Sequence, residues 1–185
     1  MKIYHVVTAV IGGALKIGWL FRAKGKENIP KEGSFLLCAN HRSAMDPIMI
    51  AAGCSRQLTF MAKEELFSIP VLGWFIKKIG AFPIKRGKGD AAAVMATLKI
   101  LKRGDATLIF PEGTRMKDGV RKTVNPGIIR LAMQAKVPIL PAYVDKHSVK
   151  FGKPITYENM TDFISDNEKM QLLADGLMDE IYSLG

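Results

Sequence analysis

The strongest constraint on the fold is an alternation of short apolar runs with segments of helical character. Six runs have strand length: Ser34 to Ala39 (SFLLCA), Leu58 to Ala62, Ala81 to Ile84, Ala106 to Phe110 (ATLIF), Ile139 to Val144 and Val149 to Phe151. Between them, Pro47 to Ala52, Glu64 to Phe67, Pro70 to Lys78, Gly89 to Lys102 and Pro126 to Lys136 read as helices. Pro47 and Pro126 suit a first helical position, where the missing N–H breaks no bond. From about Ser165 to Ser183, Met170, Leu173, Leu177 and Ile181 recur at helical spacing. Alternation of this kind predicts an α/β domain with a largely parallel sheet covered by helices. No repeat, low-complexity tract or linker divides the body. A length of 185 residues fits one domain. The expected division is a hydrophobic N-terminal helix over residues 1–23 and a single domain over 24–185.

Charge narrows the partners. Residues 1–153 carry 26 basic and 10 acidic side chains, and residues 154–185 carry 1 and 7. A basic body fits an anionic partner: nucleic acid, an anionic membrane surface or a phosphorylated substrate. No helix-turn-helix, aromatic RNA-binding motif or P-loop is present, so nucleic acid is not expected. Two cysteines, Cys38 and Cys54, form no C-x-x-C, which argues against a disulfide scaffold or a structural zinc site.

Residues 3–21 (IYHVVTAVIGGALKIGWLF) hold one full charge, Lys16, and are followed by Arg22, Lys24 and Lys26. A secretory signal fits poorly, because the basic residues lie on the wrong flank. The uncharged core from Ile3 to Leu15 is short of the roughly 20 residues a spanning helix needs. A helix lying in the membrane interface fits better, with Trp19 and the basic cluster near the headgroups. The alternative is a helix buried in the core.

Two segments carry chemistry. In Asn40-His41-Arg42-Ser43-Ala44-Met45-Asp46, His41 follows the first strand, where α/β sheets usually build their sites. A turn could bring the Asp46 carboxylate to one imidazole nitrogen and leave the other facing a substrate. That is the base and its orienting acid without a neighbouring serine nucleophile, and no G-x-S-x-G elbow occurs. The acceptor would then be a substrate hydroxyl. Asp46 before Pro47 could equally be a helix N-cap. Cys38 reads as a small buried strand residue; it is close in sequence to His41, but side chains so placed on a strand are opposed or splayed, which argues against a nucleophilic role. In Phe110-Pro111-Glu112-Gly113-Thr114-Arg115, Pro111 and Gly113 shape a turn after a strong strand. An arginine at such a turn can hold a phosphate through its planar fork.

Taken together, Asn-His-x-x-x-x-Asp and Phe-Pro-Glu-Gly-Thr-Arg closely resemble the 1-acylglycerol-3-phosphate acyltransferase family. Two further blocks are similar to it: Gly80-Ala81-Phe82-Pro83-Ile84-Lys85-Arg86, preceded by Lys63-Glu64-Glu65-Leu66 with Pro70, Leu72 and Gly73, and Val137-Pro138-Ile139-Leu140-Pro141. The resemblance covers about residues 24–155. It implies transfer of a fatty acyl group from a thioester of acyl carrier protein or coenzyme A to the sn-2 hydroxyl of lysophosphatidate, giving phosphatidate. It also implies a membrane-associated enzyme of phospholipid synthesis, expected at the cytoplasmic face and without a metal or redox cofactor. Glycerol 3-phosphate or another lysolipid is the alternative acceptor, and a non-catalytic basic membrane-binding module is the alternative of another class.

In that reaction the residues themselves supply the roles: His41 is the general base, and Asp46 orients it and stabilises the imidazolium. Lys63, Arg86 and Arg115 fall to the phosphate by family position and charge. Asn40, Glu112, Gly113, Thr114 and Pro138 are motif residues: Glu112 is expected to position Arg115 or the acceptor, and a backbone N–H near Gly113 to stabilise the oxyanion. The bulky stretch from Pro70 to Ile79 is expected either to line an acyl groove or to pack in the core.

Overall fold

The computed structural model describes residues 4–6, 8–10, 12–13, 21–84, 90–115, 124–157 and 165–185. Its seven strands are β1 (Arg22–Lys24), β2 (Leu36–Ala39), β3 (Leu58–Lys63), β4 (Ala81–Ile84), β5 (Ala106–Ile109), β6 (Ile139–Val144) and β7 (Ser148–Phe151). The helices are α1 (Asp46–Gly53), α2 (Glu64–Phe67), α3 (Pro70–Lys78), α4 (Asp90–Leu101), α5 (Gly127–Ala135) and α6 (Asn167–Ser183). A short 3-10 turn, Lys26–Asn28, follows β1. The strands form one sheet in the order β1-β7-β6-β2-β5-β3-β4. Every neighbouring pair is parallel except β6 with β7. The expected α/β sheet is therefore present, with an antiparallel hairpin near one edge.

The strand β2 is central and wholly buried. It pairs with β5 on one side, Leu37 opposite Leu108, and with β6 on the other, Leu37 opposite Leu140. Successive side chains alternate between faces. Leu37 and Ala39 enter a core with Met49 and Ile50 of α1 and Ile76 of α3. Leu36 and Cys38 enter a second core with Leu98 of α4, Ile129 of α5 and Met170 and Leu177 of α6. A strand buried on both faces must be apolar at every position, which is why LLCA shows no alternation.

Two glycines are required by close approach. A Cβ at Gly73 would lie 2.3 Å from the Phe67 carbonyl oxygen, so α3 can fold against the end of α2 only without a side chain there. Gly80 has φ +92, and a Cβ would lie 2.2 Å from the Leu58 carbonyl oxygen.

The N-terminal residues 4–6, 8–10 and 12–13 are helical. Tyr4 is buried, and its hydroxyl accepts the Leu58 N–H at 3.0 Å. Thr8 and Gly12 are buried on the same side, while Val6 and Val10 are exposed. Among the described residues no helix is long and apolar enough to cross a membrane. Arg22–Lys24 joins the sheet instead of ending that segment, so a boundary after residue 23 cuts through β1. Residues 14–20, including Lys16 and Trp19, lie outside the described residues.

Candidate active site

The site lies beyond the carboxyl ends of the adjacent strands β2 and β5. Parallel pairing puts Cys38 opposite Ile109. The next residues along each strand, Asn40-His41 and Phe110-Glu112, therefore emerge side by side. This is the crevice position at which open α/β sheets bind ligands.

Asn40 fixes the loop at its root. Its side-chain amide donates to the Val144 carbonyl at 2.9 Å, and its oxygen accepts the Val144 N–H at 2.8 Å. Asn40 is fully buried. The side chain thus extends the β2–β6 ladder past the last residue of β2, giving Val144 the hydrogen bonds a further strand residue would have made. Asn40 acts on the scaffold, one residue from the chemistry.

The turn after His41 folds back onto Asp46. Three donors converge on one carboxylate oxygen, Oδ2: the Arg42 N–H at 2.6 Å, the Ser43 N–H at 2.6 Å and His41 Nδ1–H at 2.9 Å. Asp46 is 3% exposed. Because the carboxylate only accepts, it fixes the proton on Nδ1 and leaves Nε2 as the acceptor of the neutral ring. No described residue bonds Nε2. The alternative reading of Asp46 as an N-cap does not hold. Helix α1 begins at Asp46 itself, Met45 occupies the cap position without a side-chain bond, and the carboxylate faces the loop before it. Pro47 sits in the first turn of α1, as its fixed φ favours.

The second motif supports His41 from two sides. The Phe110 ring stacks on the imidazole, with centroids 4.0 Å apart and planes 17° from parallel. Glu112 is buried, and its Oε2 accepts the His41 backbone N–H at 3.3 Å. Its Oε1 accepts the Tyr182 hydroxyl at 2.7 Å. What Glu112 holds is therefore the His41 backbone, tied in turn to the last helix, α6. Tyr182 had no role in the sequence reading. Its helix was legible, but no local pattern marks a hydroxyl that meets a carboxylate 70 residues away.

The other motif residues divide by location. Gly113 has φ +67, and its N–H bonds the Phe110 carbonyl at 3.0 Å. That bond closes the turn and engages the Gly113 N–H itself. Thr114 and Arg115 follow on the exposed surface of the same turn. Lys63 is the exposed last residue of β3 and opens towards the same end of the sheet. Arg86 lies outside the described residues, as does the end of the Gly80–Arg86 block. Pro138 is not brought to the site: its carbonyl accepts the Leu36 N–H at 3.0 Å, at the amino end where β2 and β6 begin to pair. Cys38 points into the second core, fully buried, and burial pushes its thiol far up. It is no nucleophile for His41.

A family model described as Acyltransferase matches residues 21–145, spanning both motifs. The chain is 36% identical over 118 residues to a 1-acyl-sn-glycerol-3-phosphate acyltransferase of Bacillus subtilis, covering 63% of this chain and 58% of that protein. It is 32% identical over 173 residues to a protein of the same description from Streptococcus pneumoniae, covering 85% and 63%. The chain thus spans somewhat under two thirds of the length of these relatives. A crystal structure of the 1-acyl-sn-glycerophosphate acyltransferase PlsC of Thermotoga maritima superposes with a TM-score of 0.75, over 97% of this chain and 78% of that one. At 24% identity that likeness concerns the fold. The family match takes in β1 to β6 and every described hydrogen bond between His41, Asp46 and Glu112, and on that ground the chain belongs to the acyltransferase family.

Proposed function

We propose that the protein transfers a fatty acyl group from an acyl thioester to the sn-2 hydroxyl of 1-acylglycerol 3-phosphate, forming phosphatidate. The observation that carries this reading is the oriented imidazole: Nδ1 held by Asp46 and Nε2 left for a substrate hydroxyl. The relatives' shared description supplies the acceptor.

In the proposed reaction, the acceptor hydroxyl gives its proton to His41 Nε2 as its oxygen attacks the thioester carbonyl carbon. The tetrahedral intermediate collapses and the carbon–sulfur bond breaks. The imidazolium returns its proton to the departing thiolate, leaving a free thiol and an ester. The sequence balances without metal or redox chemistry. Asp46 stabilises the imidazolium formed midway, and a general base of this kind contributes about 10²–10⁴-fold. Lys63, Arg86 and Arg115 would hold the acceptor phosphate. Support for this comes from their charge and from the strand ends of β3 and β5, which open on the same end of the sheet as His41.

The reading includes a membrane surface on the cytoplasmic side, where acyl thioesters are made. The N-terminal helical residues support it: one side is seated against the domain through Tyr4 and Gly12, and the other exposes Val6, Ala9 and Val10 with His5 among them. A mainly apolar exposed side beside a seated one suits a helix lying in the interface better than one crossing it.

The test is a purified-protein assay crossing acceptors with both thioester donors. Lysophosphatidate should be acylated at least tenfold faster than glycerol 3-phosphate or a phosphate-free lysolipid. Equal rates on all acceptors, or no transfer to lysophosphatidate from either donor, would overturn the reading.

A further inference from the structure

The pair α2–α3 exposes five large apolar side chains within nine residues. Leu66, Ile69, Val71, Leu72 and Trp74 all face solvent, Val71 at 82% exposure and Trp74 at 59%. The same helices bury Gly73 and Ile76, so the outward face is a real second face and not a loosely packed core. Clustered exposure of this kind marks an interaction surface, whereas single exposed apolar residues do not.

Its position is defined by the chain path. Helix α2 starts directly after Lys63, at the end of the sheet that carries His41, and α3 returns along the sheet edge to Gly80 beside Leu58. Both lie on the face covered by α1, the face that Ile76 and Ile79 share with Met49 and Ile50. The N-terminal helical residues lie on α1's side as well, since a Cβ at Gly12 would meet the Ala52 carbonyl at 3.7 Å. Val6 and Val10 thus add exposed apolar side chains to the same layer.

Charge selects the occupant. Lys63 stands at one end of the pair and Lys77 and Lys78 at the other. Lys78 Nζ lies 5.9 Å from the Trp74 ring centre, and Lys77 Nζ lies 5.9 Å from that of Phe67. The acidic Glu64 and Glu65 sit in the first turn of α2, next to Lys63. Aliphatic side chains flanked by tryptophan and lysine match the order of acyl chain, interface and anionic headgroup.

We infer that α2–α3 is a membrane-contact surface for anionic bilayers, separate from the N-terminal segment, and that it sets the catalytic end of the sheet against the lipid from which the acceptor comes. The inference deepens the proposed function and rests on it for the acceptor. Two contacts, at the N-terminal helix and at α3, fix an orientation that one contact would leave free to pivot.

The test uses the full chain carrying Trp19→Phe, which leaves Trp74 as the sole tryptophan of two. With vesicles of phosphatidylglycerol and phosphatidylcholine, Trp74 emission should shift to the blue and be quenched by lipids brominated near the headgroup end of the chain. Val71→Asp should lower the vesicle partition coefficient roughly tenfold or more. Its circular dichroism should stay that of the parent, because Val71 packs outside the core. Lys77→Glu with Lys78→Glu should weaken binding to anionic vesicles about tenfold or more and change binding to neutral ones little.

Any of four results overturns the inference: vesicle pelleting with unshifted Trp74 emission, parental partitioning by Val71→Asp, a blue shift that follows protein concentration without lipid, or a shift on adding acyl carrier protein alone. The last two would assign the surface to a second copy or to a protein partner. Acylation of lysophosphatidate in detergent micelles, measured in parallel, is independent of vesicle docking. Its absence sinks the proposed activity, while loss of the fluorescence response sinks only the surface.

Discussion

Replacing Asp46 by Asn separates charge from geometry, because all three donors reach the same oxygen, Oδ2. An amide that places its single carbonyl oxygen at that position keeps the Arg42 N–H, the Ser43 N–H and His41 Nδ1–H. Its NH2 group takes the place of the oxygen that receives none of them. The loop should therefore keep its shape and the ring its tautomer. What is lost is a full negative charge beside the imidazolium formed during transfer. With Nδ1 and Oδ2 2.9 Å apart, the charge centres are about 4 Å apart, and at an effective dielectric near 20 their attraction is about 4 kcal/mol. That corresponds to about a thousandfold in rate.

Stability should fall by only about 1–2 kcal/mol, as neutral bonds replace bonds to a charged acceptor. Asp46→Ala should instead lose both rate and stability, since two loop N–H groups and the ring are left without their acceptor. The assay is release of free thiol from the acyl donor, followed with a chromogenic thiol reagent, beside urea unfolding of each variant. Turnover by Asp46→Asn within tenfold of the parent would refute the argument that Asp46 acts through its charge. A variant unfolded in buffer would refute the argument that an amide can hold the loop.

Further outcomes follow from other contacts. Asn40→Ala leaves the Val144 N–H and carbonyl unpaired in a buried place, and at about 1–3 kcal/mol each it should cost about 2–6 kcal/mol in urea unfolding; an unchanged midpoint would show that the β2–β6 clamp is dispensable. Tyr182→Phe removes a hydrogen bond to the buried Glu112 carboxylate and should cost about 1–3 kcal/mol. It should also lower kcat severalfold at nearly constant acceptor KM; parental stability and kcat together would deny α6 any part in the site. Burial pushes the Cys54 thiol up from 9.0 to about 11 and the Tyr157 hydroxyl from 10.0 to about 12. The folded chain then keeps protons that the unfolded chain sheds, so stability should fall as pH rises from 9 towards 12. The urea midpoint should drop between pH 8.5 and 11, and a flat profile would contradict the burial of these groups.

The sheet was legible because a two-sided parallel sheet writes itself as apolar runs. LLCA, LTFMA and ILPAYV could hardly lie on a surface, and their order gave the class. The strand β1 left no such trace. It is a three-residue edge strand whose Arg22 and Lys24 face solvent, and only the half-buried Ala23 touches the core. Its position came from pairing with β7, 126 residues on, which no local pattern encodes. The His41–Asp46 pair was legible because only five residues separate them, from the end of β2 to the first residue of α1. Glu112 was found by motif, but its direction was not, since that depends on Tyr182 and on the register of β5 against β2. Pro138 shows the opposite case. It belongs to a recognisable block yet stands at the far end of β6, where it serves pairing.

The central place of β2 bears on how the chain is made. Its residues leave the ribosome before both strands that flank it. Ile109, the end of β5, is made 70 residues after Ala39. At about 5–20 residues per second, LLCA waits roughly 4–14 s for its first neighbour, and longer for β6. During that interval four apolar residues with unpaired backbone are open to any edge strand or chaperone nearby. His41 is thus made before Asp46, Glu112 and Tyr182, and its setting is complete only when Tyr182 arrives.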